Sequence, residues 1–134
     1  MAISTLTWKP EYTTGNESVD HQHQYFTELI NRVCASLERS DDEAYRRRLL
    51  MEVIKYGEFH FCSEENIAYE LGLKGQPVHR DRHREMLAEL NDHVEDLLAG
   101  RYTVSGFADF LHNWFAKHTI YEDTAFFLGQ GRGE

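Results

Sequence analysis

The chain has 134 residues, 41% of them hydrophobic and 28% charged, with a formal net charge of −9. That length supports one core rather than two, and the acidic balance, with basic residues scattered apart from Arg46, Arg47 and Arg48, argues against a nucleic-acid partner. No window approaches the roughly 20 apolar residues of a membrane span, the opening stretch MAISTLTWKPEYTTG lacks a signal-peptide pattern, and the separated Cys34 and Cys62 fit free packing thiols in a reducing compartment. The expectation is a soluble, cytoplasmic, monomeric single domain over 1–134, without membrane insertion.

An irregular arm over 1–18 gives way near Asn16 to a helical rhythm that three clusters of turn residues interrupt, and no strand-like alternation is present. The first segment takes Asp20 as its N-cap and lines up His23, Phe26, Ile30, Val33 and Leu37 on one face. The second begins at Asp41 or Asp42, stops at Gly72, and places Leu49, Val53, Gly57, His60, Glu64, Ile67 and Leu71 inward. After GLKGQP, with Pro77 suited to a first helical turn, the third carries His79, His83, Met86, Leu90, Val94 and Leu97. The fourth starts near Thr103 or Ser105, turns Phe107, Leu111, Trp114, His118 and either Tyr121 or Glu122 inward, and frays over 129–134. Four helices over about 19–128 with short connections predict an all-α fold, an antiparallel up-down-up-down four-helix bundle.

Each inward stripe carries a histidine where the rhythm asks for Leu or Ile. Taken singly, such a residue is more often a satisfied core histidine than a ligand; four stripes together argue for a metal site. His60 with Glu64 and His79 with His83 are four residues apart, about 40° around a helix, so either pair can chelate one ion or flank two. His118 and Asp123, five apart, stand about 140° apart on an ideal helix and do not share a face. His21, about 200° from His23, faces solvent, and His93 and His112 read as surface or boundary residues. Glu65 reads as a solvated neighbour, Cys62 as pointing away from the site, and Arg46 to Arg48 as a solvated helix face.

The arm WKPEYTTGNESVDHQH ending at His23, HFCSEE from His60, HRDRH from His79 to His83, and WFAKHTIYED from Trp114 to Asp123 resemble the four ligand-bearing motifs of the hemerythrin family, in family order and spacing. The resemblance covers nearly the whole chain. It implies two iron ions in a non-haem, oxo- or hydroxo-bridged centre that binds dioxygen reversibly. His79, His83 and His118 would hold one iron, His23 and His60 the other, and Glu64 and Asp123 would bridge them. That leaves an open coordination position on the iron of His23 and His60, where dioxygen binds. Phe26, Ile67, Met86, Leu111 and Trp114 are candidate lining for a dry pocket, each also accounted for as plain bundle core.

The expected function is oxygen carriage, storage or delivery, with an oxygen-consuming enzyme as a partner and no catalytic residues of its own. No phosphate-binding Gly-rich loop, nucleophile elbow or second domain is apparent. The alternatives are an oxygen or redox sensor acting through a separate signalling protein, and a di-iron enzyme acting on peroxide or nitric oxide.

Overall fold

The computed structural model describes residues 5–130, the side chain of Ile120 excepted. Among them are three unbroken helices, α1 (Glu17–Arg39), α2 (Glu43–Leu71) and α3 (Gln76–Leu98), and a composite fourth rod. That rod runs through α4 (Val104–Ala116), a π-helical segment (Lys117–Asp123) and α5 (Thr124–Leu128). No strand occurs among the described residues. α1 and α3 each pack on both α2 and α4, and short turns join the rods, so the chain closes an antiparallel up-down-up-down bundle.

The helix ends follow from local chemistry. The Asn16 side chain accepts from the Val19 amide at 3.0 Å, so α1 starts at Glu17, earlier than a cap at Asp20 would place it. Asp20 lies inside the first turn, buried, and accepts from the Thr14 amide at 2.7 Å, the Thr14 hydroxyl at 2.8 Å and the Gly15 amide at 3.3 Å. A carboxylate is favoured near a helix N-terminus, and this one knots the arm to α1 instead of capping it. Further up the arm, a short 3₁₀ turn spans Pro10–Tyr12, and the Asn31 side chain bonds both the amide and the carbonyl of Leu6, at 2.7 Å each.

Asp42 caps α2, and Gly72 ends it in the left-handed conformation at φ 64°. Arg46, expected on a solvated face, is half-buried and donates to the carbonyls of Ser40 at 2.6 Å and Leu37 at 2.8 Å. The last carbonyls of a helix lack intrahelical donors, and this guanidinium supplies them. Gln130 also departs from the expected frayed tail: its amide bonds the backbone of Lys74 in both directions, at 2.8 and 3.1 Å. Residues 1–4 of the arm and 131–134 of the tail lie outside the described residues.

The inward stripe of α3 is buried as expected. In α2 the buried track steps four residues from Glu64 to Ala68, leaving Ile67 half-buried and Leu71 57% exposed. One end of the bundle is filled mainly by apolar side chains, among them Val33, Leu37, Leu50, Val94, Leu97 and Phe107. Antiparallel packing brings the opposite ends of α1, α2, α3 and the fourth rod together, and all seven candidate ligands lie there.

Candidate metal centre

His23 follows the Asp20 knot by one turn of α1, while α2 contributes His60 and Glu64 and α3 contributes His79 and His83. The fourth rod supplies His118 and Asp123 in a way the sequence does not signal. In a π-helical turn the hydrogen-bonded ring closes at i→i+5, so residues five apart come onto one face. Both side chains are therefore buried, at 2% and 0% exposure. Tyr121 is 72% exposed and Glu122 only half-buried, so neither takes the inward place expected for one of them.

The Nε2 atoms of all five histidines converge on two carboxylates. Glu64 Oε1 lies 2.6 Å from His79 and 3.2 Å from His83; its Oε2 lies 3.2 Å from His60 and 3.6 Å from His23. Asp123 Oδ2 lies 2.9 Å from His23, and its Oδ1 lies 2.8 Å from His118 and 3.2 Å from His79. The ligand atoms form two overlapping groups, each within 4.8 Å: Glu64, His79, His83, His118 and Asp123, and then His23, His60, Glu64 and Asp123. The two carboxylates belong to both groups.

This donor set fits divalent cations better than it fits itself. His83 Nε2 and His118 Nε2 are 3.2 Å apart, and His60 Nε2, Glu64 Oε2 and Asp123 Oδ1 are buried without a well-formed hydrogen bond. Buried carboxylates demand compensating positive charge. In the metal-free chain protons provide it. Burial pushes the imidazolium of His23 down, but Asp123 and Glu64 more than offset this and hold it at about 9. His79 stands at about 9 on the same balance of burial against Asp123 and Glu64. His118 is also raised, burial again being outweighed, chiefly by Asp123. For His60 burial prevails over Glu64, and its pKa falls. Burial and repulsion from Glu64 would raise Asp123, yet His118 and His23 hold it at about 2, and Glu64 is likewise depressed by the surrounding imidazoles despite burial.

An outer layer of polar residues escaped sequence reasoning. Glu65, expected in solvent, is half-buried and accepts from His83 Nδ1 at 2.7 Å. Glu122 accepts from His118 Nδ1 at 3.2 Å and from Arg82 Nε at 2.8 and 3.1 Å. Gln22 Oε1 accepts from His60 Nδ1 at 2.8 Å, while its amide nitrogen donates to the Ser63 hydroxyl at 2.9 Å. Glu122 follows His118 by four residues, a signal that could have found it; Glu65 and Gln22 contact histidines of other helices, and nothing local marks them. His21 is exposed, and His93 and His112 sit at the boundary, as expected. Cys62 is exposed rather than packed, whereas Cys34 is buried.

Aromatic rings close the site. Phe61 stacks on His83 at 4.2 Å, and Phe126 stacks on His79 at 4.0 Å. Phe26, Met86 and Trp114 line a small apolar pocket beside His60 and His118, completed by Phe61, Phe115 and Thr119. Trp114 also donates to the Met86 carbonyl at 3.0 Å, tying α4 to α3. Leu111 and Ile67 do not border this pocket: Leu111 lies two turns before His118, within the core, and Ile67 sits on the flank of α2.

Comparison with known proteins converges on one family. The model of the hemerythrin HHE cation binding domain matches residues 14–127. A bacteriohemerythrin of Pseudomonas aeruginosa is 22% identical, the match covering 92% of this chain and 80% of that protein. One of Clostridium acetobutylicum is 25% identical, covering 87% and 94%. A crystal structure of wild-type hemerythrin superposes with a TM-score of 0.80 at 20% identity, over 93% of this chain and 97% of that one.

Proposed function

The chain belongs to the hemerythrin family, and from that premise we propose that it binds dioxygen reversibly at two iron ions, as a carrier or store rather than an enzyme. The observation that carries the reading is the overlap of the two ligand groups on Glu64 and Asp123. Each carboxylate has two oxygens and can serve two ions at once, so His79, His83 and His118 would hold one iron and His23 and His60 the other. When bound, a ferrous pair would supply the electrons that dioxygen accepts.

The chain's own residues do the rest. Nδ1–H groups donated to Glu65, Glu122 and Gln22 leave the Nε2 lone pairs of His83, His118 and His60 aimed inward. Phe61 and Phe126, flat against His83 and His79, oppose ring rotation. Phe26, Met86 and Trp114 keep the pocket apolar, which denies water and protons to the bound ligand. A preponderance of neutral imidazoles over carboxylates favours release over O–O cleavage, in contrast to the Glu-rich sites of ferritin-like bundles. The free Cys34 and Cys62 suit a reducing, cytoplasmic setting.

Anaerobic loading with ferrous iron, followed by oxygen titration and evacuation, tests this. The expected result is two irons per chain and one dioxygen taken up and returned, with the spectral change reversing. Sustained consumption of oxygen, peroxide or nitric oxide would make the protein an enzyme, and a single iron per chain would overturn the site.

A further inference from the structure

The outer nitrogens of the ligating histidines meet unlike surroundings. On the side of His79, His83 and His118, two Nδ1 atoms face carboxylates: Glu65 at 2.7 Å and Glu122 at 3.2 Å. On the other side, His60 Nδ1 faces the neutral amide of Gln22 at 2.8 Å, and His23 Nδ1 is buried with no hydrogen-bond partner among the described residues. The Gln22 NH2 group donates to the Ser63 hydroxyl at 2.9 Å, and in this arrangement its oxygen faces His60.

We propose that this outer layer widens the inequality that three imidazoles against two already set between the ion positions, so that the position served by His79, His83 and His118 fills first and tightly, and that served by His23 and His60 fills second and more weakly. The inference rests on the two-ion reading above and adds an order and a cause. An acceptor on the outer N–H fixes the tautomer and raises the basicity of the nitrogen facing the metal, and a charged carboxylate raises it more than the neutral oxygen of an amide does. A histidine with neither keeps both tautomers within reach and must be set at the moment of binding. Glu65, Glu122 and Gln22 are positioning residues, acting through His83, His118 and His60. They also rank. Glu65 is closer to its histidine, whereas Glu122 shares its charge with Arg82 through two bonds of 2.8 and 3.1 Å, so Glu65 contributes more.

The test is zinc(II) titration of the full chain under chelator competition. Wild-type protein should take up two ions in two resolved steps. Glu65→Gln should weaken the first step about tenfold or more and leave the second unchanged. Glu122→Gln should do the same to a smaller extent. Gln22→Glu should tighten the second step and narrow the gap, a gain that loss of folding cannot imitate. Histidine nitrogen NMR of the zinc-loaded protein should show protonated Nδ1 at His83 and His118, moving upfield in the Gln variants as the acceptor weakens. Two equal wild-type steps, or variants that weaken both steps alike, would overturn the inference while leaving the two-ion site intact. Uptake of one ion or none by wild-type protein would instead remove the site itself.

Discussion

Deleting one residue from the π-helical segment should spare the site, whereas deleting one residue upstream should destroy it. Tyr121 is 72% exposed and lies within Lys117–Asp123. Without it, Asp123 follows His118 by four residues, about 40° away on an ordinary α-helix, and the two still share a face. Little buried surface is lost, so the metal-free fold should change by about 1 kcal/mol or less. Asn113 is also exposed, but it precedes Trp114, Phe115 and His118 in α4. Its deletion turns everything downstream by about 100° relative to Phe107 and Leu111. Trp114 and Phe115 are each 5% exposed. At roughly 1.5–3 kcal/mol per buried large side chain, their displacement costs about 3–6 kcal/mol, with His118 lost as a ligand. Urea unfolding with a chelator present and zinc uptake by each chain measure both effects. If the chain lacking Tyr121 loses its ions as completely as the chain lacking Asn113, the wide turn is not what places Asp123.

Removing a central side chain should be equally telling: Glu64→Ala or His118→Ala should each cost a bound ion, while His93→Ala, half-buried away from the cluster, should leave metal content unchanged. In the metal-free chain His23 and His79 stay protonated to about 9 against an ordinary 6.5, so ions must displace protons. Zinc affinity should therefore rise with pH from 6.5 to about 9, with proton release on uptake, and a flat profile contradicts the assignment. By the same sign, these raised values stabilise the metal-free fold fully below pH 6.5, and that contribution should fade as pH climbs through about 9. Gly57→Ala should stabilise the fold by about 0.5–1 kcal/mol in thermal or urea unfolding, because helical Gly is unfavourable and the added Cβ meets Leu87, Phe26 and Trp114 at 3.7–3.8 Å, ordinary contact distances. Iodoacetamide should label the exposed Cys62 in native protein and spare Cys34, whose thiol burial pushes up to about 11; equal labelling at pH 8 would contradict its placement.

The stripes of α1 and α3 were legible because a 3.6-residue rhythm describes uninterrupted helices, and local signals marked the limits between them: Asp42 starts α2, Gly72 ends it and Pro77 sits in the first turn of α3. Histidines on those stripes marked the site for the same reason: a polar residue in an apolar track requires an explanation. What the sequence hid was non-local or irregular. No Gly or Pro announces the π-helical segment, so helical-wheel reasoning set Asp123 off the face of His118, and the family resemblance alone placed it in the site. Glu65 and Gln22 look like surface residues on their own helices and become partners only when α1, α2 and α3 pack. Arg46 read as part of a basic run, yet the carbonyls it meets belong to the end of another helix.

Because the seven converging side chains occupy one end of the bundle and the other end is packed mainly by apolar side chains, the molecule divides its labour. The apolar end offers cohesion that depends on no ion, so the scaffold should hold its shape whether or not the polar end is filled. Reworking the polar end, to shift preference among ions or ligands, would draw on that reserve without dismantling it.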